Sequence, residues 1–199
     1  MYSSKPNFVF GFHGLDESIG RDIVGGRQDL RASTNLYDWL GHGVYFWEHS
    51  HERALQWAVS QSKRQNTTVQ IPFVIGAIIN LGHCLDLLDQ KWLDFLVVQY
   101  ELMIVDLDAE GISPPENTPF GKTDFDFKNR ELDCAVIRYA VEAAKKEGVI
   151  FDSVRAAFWE GEELYPTAGF KTHNHIQISV INPNCIKGIF LPRSKVDFP

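Results

Sequence analysis

Apolar positions along this chain follow two rhythms. Short runs of β-branched and aromatic residues predict strands at 8–12, 44–47, 69–81, 150–158, 175–181 and 186–191. Apolar residues spaced three and four apart predict helices at 16–24, 50–63, 89–105 and 129–147. Asp16 and Ser50 are suited to cap helix N-termini, while Gly25-Gly26 and Gly148 supply stops. Gly76 marks a bend in the long third strand. Between these elements, 27–42 reads as a loop with one helical turn and 108–128 as an irregular insertion rich in Pro and acids. Strands flank helices without strict alternation, so an α+β architecture is expected over a doubly wound parallel sheet. Neither repeats nor a low-complexity linker interrupts the 199 residues, and one domain over 1–199 is the simplest reading.

Charge narrows the function. The net charge of −7 argues against a broad, sequence-independent grip on nucleic acid. The only adjacent basic pairs, Lys63–Arg64 and Lys145–Lys146, read as solvated helix ends. Cys84, Cys134 and Cys185 are far apart and show no metal-ligand spacing, so no metal and no disulfide framework is expected. A start without a signal-peptide pattern and the lack of a membrane-spanning run predict a cytoplasmic protein with no membrane role.

Candidate chemistry gathers in four segments. Gly11-Phe12-His13-Gly14 sets an imidazole at a strand end beside a backbone that a ligand can approach closely; closing a turn is the other reading. Tyr45 follows Gly41 and Gly43 and is either a core residue with a bonded hydroxyl or a stacking platform for a flat ring. Ser33, Asn35 and the nearby Asp38 can hydrogen-bond a phosphate or ribose, or simply form turns. Near the C-terminus, His175, Gln177 and Ser179 share one strand face that is polar, after a loop containing Glu160, Glu162 and Glu163. The Rossmann and P-loop fingerprints are missing, so any dinucleotide would be bound in another way.

Two of these pieces carry a resemblance. Gly11-Phe12-His13-Gly14, then the stretch from Leu40 through Gly43-Val44-Tyr45-Phe46 into the Ser50-led helix, resemble the diphtheria-toxin and poly(ADP-ribose) polymerase branch of the ADP-ribosyltransferase superfamily. The resemblance implies two antiparallel-rich β-sheets forming an NAD cleft, flanked by helices. It implies NAD as co-substrate, with His13 on a ribose hydroxyl, the Gly14 backbone on the nicotinamide carboxamide, and Tyr45 stacked on the ring. Trp57 or a neighbour on that helix would form the opposite wall; Gly43 keeps the approach to Tyr45 narrow, and Ser33 and Asn35 are the candidates for a phosphate or ribose contact. The family places a glutamate at the start of the strand that holds Gln177 here. Either Gln177 replaces it or Glu160 enters from the preceding loop, turned inward by Gly161. The expected activity is transfer of ADP-ribose to a protein or nucleic acid acceptor, as in bacterial toxins or phage-defence effectors, with an antitoxin as potential partner. An NAD glycohydrolase and an inactive ADP-ribose-binding module are the alternatives.

Overall fold

The computed structural model describes residues 8–119 and 127–193. The elements in chain order are β1 (Phe8–Asp16), α1 (Glu17–Val24), β2 (Val44–Glu48), α2 (His51–Ser62), β3 (Pro72–Asn80), β4 (Cys84–Asp86) and α3 (Gln90–Ala109). They continue with β5 (Asn117–Thr118), β6 (Asn129–Arg130), α4 (Glu131–Lys146), β7 (Ser153–Phe158), β8 (His175–Val180) and β9 (Ile186–Phe190). The fold is α+β. Seven strands form one mixed sheet in the order β4-β7-β8-β2-β1-β3-β9, and β5-β6 make a separate ribbon.

This corrects the expectation of two sheets. Hydrogen bonding is continuous across the middle, but the join is narrow. β1 pairs with β3 over nine register positions and with β2 over only two, Gly11↔Glu48 and Phe12↔Trp47. All pairings in the large sheet are antiparallel except β4 with β7.

Asp16 explains why β1 runs past the expected end at Phe12. Its carboxylate caps α1 by accepting from Ser18 N–H, and it also accepts the N–H groups of Gln70 and Ile71 just ahead of β3. These bonds and the Ser18 hydroxyl hold its pKa down at about 2. The end of β1 is thereby tied to both neighbours. β4 escapes a pattern-based reading because three residues are too few to show alternation. The predicted irregular insertion falls partly outside the described residues; inside them it contributes β5.

Side-chain alternation sorts the sheet into two faces. Phe12, Trp47 and Val74 pack with Ala54 of α2, and Tyr45, Val154, Ala156 and Phe158 pack with α3 and α4. These residues share one face. Leu15, Ile23 and Ile75 pack with α1 on the other, beside a cluster that includes Phe46, Ile79 and Ile178. The fully buried Phe46, Ile75, Ile79 and Ile178 each contribute about 1.5–3 kcal/mol by leaving water. Among the described residues, no helix is long and apolar enough to cross a membrane.

Candidate active site

The narrow join between β1 and β2 is the starting point. In an antiparallel pair, a residue's N–H and C=O point the same way, and the direction alternates along the strand. Phe10 C=O accepts from His49 N–H at 2.8 Å, so the main-chain groups of Phe10, Phe12 and Gly14 are aimed toward β2. The next rung after Phe12↔Trp47 would join Gly14 to Tyr45. It is replaced. The Tyr45 C=O accepts the His13 Nδ1–H at 2.7 Å, and the strands diverge.

Two consequences follow for the chemistry. A carbonyl only accepts, so Nδ1 carries the His13 proton and Nε2 keeps its lone pair. No described residue is hydrogen-bonded to that Nε2. Burial lowers the His13 pKa against the opposing pull of the Tyr45 carbonyl, so the ring is neutral at pH 7. Gly14, relieved of its rung, aims an N–H and a C=O into the opening. Its other side is closed: a Cβ there would run into the Ala54 carbonyl of α2, so only glycine lets the helix lie this close to the strand.

Tyr45 is half-buried, with a fixed phenol. Its hydroxyl donates to Gly41 C=O at 2.6 Å and accepts from Leu40 N–H at 2.8 Å. Burial raises its pKa, so it stays protonated and serves as a surface, not as a base. The core reading of Tyr45 describes the phenol: its hydroxyl is bonded, and its ring packs against the cluster beneath α3 and α4.

Gln177 pairs with Trp47, and Ser179 with Tyr45, which puts Tyr45 and Gln177 diagonally adjacent on that face. Gln177 is half-buried, and no described residue bonds its amide. Glu160 is largely buried, just before a turn at Gly161 with φ of +86°. It is occupied, however. Arg53 Nη2 donates to Glu160 Oε2 at 2.9 Å, and both side chains are only 16% exposed. Glu162 and Glu163 are exposed.

Arg53 is the site residue that sequence reasoning missed. It sits on α2 one turn before Trp57, which is 38% exposed and leans over Trp47 with ring centroids 5.8 Å apart. Trp57 is therefore a partly exposed residue of α2 packed on the Trp47 ring. Around it, buried polar atoms lack partners among the described residues: Arg53 Nε, Trp47 Nε1 and His175 Nε2. The His175 Nδ1–H donates to His173 C=O at 2.7 Å, so its Nε2 is an acceptor. Burial lowers the His175 pKa to about 4. Unsatisfied buried polar atoms are rare, and several on one sheet face point to a polar ligand or ordered water.

Three expected contacts turn out differently. Ser33 Oγ donates to Asp38 at 2.9 Å, and Asn35 directs its backbone N–H to Asp38 and its amide to Ser33 Oγ. Both are turn formers, as the alternative reading had it. Gly43 is buried, its N–H and C=O are both bonded to Ser33, and a Cβ would meet Ser179 and Val180. Tight packing accounts for that glycine.

Two cavities flank this region. One of about 400 Å³ lies between α3, α4 and the sheet, lined by Trp39, Leu96, Tyr100, Ile137, Ala156 and Phe158 among others. Arg130 lies over the rings of both Trp39 and Phe158 there. The other, of about 320 Å³, is lined by Arg21, His51, Leu55 and Phe73 among others. His13, Tyr45 and Gln177 line neither; the His13 ring lies on the Phe46 side of the sheet, 5.7 Å from that ring, and reaches the β1–β2 gap through Nδ1, whereas Tyr45 and Gln177 lie on the other face. Among the described residues, no group of three His, Cys, Asp or Glu is arranged for a metal ion. The three cysteines are free thiols with pKa values raised chiefly by burial. Comparison with known proteins finds no matching family model, curated protein or solved structure.

Proposed function

We propose that this chain is an NAD-dependent mono-ADP-ribosyltransferase of the diphtheria-toxin and poly(ADP-ribose) polymerase type, and that its seam holds the nicotinamide riboside end of NAD. One observation carries the reading: an imidazole takes the place of a main-chain rung, leaving the Gly14 N–H and C=O directed into the gap. A carboxamide offers one acceptor and two donors, the complement of that pair. The ring of Tyr45 lies on the same face as Gly14 and provides the stacking surface. His13 Nε2, an acceptor on a neutral ring, suits a ribose hydroxyl.

The reaction breaks the N-glycosidic bond. Nicotinamide leaves with the bonding electrons, and the ribosyl carbon passes through an oxocarbenium-like state before the acceptor nucleophile adds. Gln177 is the group nearest the expected catalytic carboxylate. Its amide can hold the 2′-hydroxyl without adding negative charge, which predicts a slow transferase, by roughly 10²–10³ in rate relative to a charged group. Exposed Trp159, Leu164, Tyr165 and Phe170 lie with Glu160 on the segment between β7 and β8. Such a rim suits a macromolecular acceptor better than water.

The test is nicotinamide release from NAD, with mass spectrometry for added ADP-ribose on protein and nucleic acid. Wild type is expected to release nicotinamide and label an acceptor, and His13→Ala to lose about 10²-fold or more in release while remaining folded. Release without any label would make the chain a glycohydrolase. Undiminished turnover in His13→Ala would sink the assignment.

A further inference from the structure

Arg53 is bonded less completely than its burial demands. A guanidinium facing a carboxylate usually engages it through two parallel N–H groups. Here one arm, Nη2, reaches Glu160 at 2.9 Å, and Nη1 turns away to Gln56 Oε1 at 2.8 Å. The Nε–H is buried with no acceptor among the described residues. Trp47 Nε1–H, on the strand beneath α2, is a second buried donor in the same condition. Desolvation lowers the Arg53 pKa while Glu160 opposes the fall.

Glu160, for its part, reaches this position through a glycine turn that a Cβ would close against Thr172 and His173. Its carboxylate lies 3.7 Å from His175 Nδ1, but that nitrogen donates to His173, and the neutral ring adds no charge to hold Glu160. The carboxylate thus meets Arg53 through Nη2 and accepts from neither the Arg53 Nε–H nor the Trp47 Nε1–H. A tetrahedral oxyanion group has more oxygens to offer and can take Nε and Nη2 together.

We propose that Arg53, with the buried donors beside it, is a subsite for a diphosphate, and that Glu160 occupies this seat as an internal competitor until the ligand displaces it. The identification of the diphosphate with that of NAD rests on the function proposed above; the oxyanion subsite does not. Glu160 is then a latch across the cleft and not the missing catalytic carboxylate. The pairing also closes α2 against the ends of β7 and β8, so displacement would free the wall that bears Trp57.

Inorganic pyrophosphate is the probe, titrated by calorimetry into wild type, Glu160→Gln, Arg53→Gln and Arg53→Lys, with each fold checked by circular dichroism. Removing a competitor that fills the seat most of the time is expected to tighten binding about tenfold in Glu160→Gln. Arg53→Gln is expected to abolish it. Arg53→Lys keeps the charge but lacks the Nε donor, and about tenfold weaker binding than wild type would assign that nitrogen. Equal affinity in all four proteins, absence of heat in all four, or weaker binding in Glu160→Gln would overturn the subsite. Pyrophosphate binding of the expected pattern in a protein that never consumes NAD would leave the subsite standing and remove the enzymatic reading alone.

Discussion

Two arginine–glutamate pairs each join residues 107 positions apart, one on either face of the sheet. Arg155, on the α1 face, is saturated. Its Nε and Nη2 grip Glu48 at 2.6 and 2.8 Å, and Nη1 reaches Asp86 at 3.0 Å. These contacts, led by the hydrogen bonds to Glu48, raise its pKa despite burial. Arg53, on the α2 face, has one arm on Glu160 and a buried donor left over. The difference separates two uses of the same chemistry. A fully matched guanidinium fastens β2, β7 and β4 together, whereas an under-matched one keeps capacity for something the chain does not contain.

That contrast can be broken most forcefully at Arg155. Arg155→Met leaves Glu48, 7% exposed, as a buried charge without its partner, and should cost about 3–5 kcal/mol in denaturant unfolding. A loss under about 1 kcal/mol would mean that the saturated pair is no fastener.

Acid should act next, through the unsaturated side. His175 is fully buried at its side chain and its pKa falls to about 4, whereas an unfolded chain titrates near the ordinary imidazole value of about 6.5. Between these values the unfolded state takes a proton that the folded state refuses. Stability should therefore be flat above about pH 7 and decline as pH falls from 6.5 toward 4, by at most on the order of 3 kcal/mol. His175→Gln should flatten this stretch of the unfolding curve. An unchanged slope in that variant would place the acid sensitivity elsewhere.

The smallest effect belongs to the latch itself. Glu160→Gln should cost less, about 1–2 kcal/mol, because glutamine keeps an oxygen for Arg53 Nη2 and removes only the charge, while Arg53 retains Gln56. A loss comparable to that at Arg155 would erase the distinction between the pairs.

The sequence spoke clearly wherever a local rule was enough. Asp16 and Ser50 cap helices as their side chains dictate, and the His13-Gly14 and Gly43-Val44-Tyr45-Phe46 pieces fall on adjacent strands that meet at the seam. Ser33 and Asn35 were legible as polar, but their use depended on Asp38 folding back on them. Arg53 could not be singled out. Its spacing from Trp57 puts both on one side of α2, yet the partner that gives it meaning arrives from the far end of the chain. The continuity of the sheet was equally hidden, since two rungs decide it and no residue pattern announces them.

Gly14 carries a mechanical implication. With its back pressed to the Ala54 carbonyl, the strand acts as a fulcrum for α2, and the smallest side chain at that point would lever the whole helix outward. Arg53 and Trp57 ride on that lever, so one added methyl would displace the latch and the aromatic rim in a single motion. Binding and wall geometry are coupled there through sterics alone, without any charge changing hands.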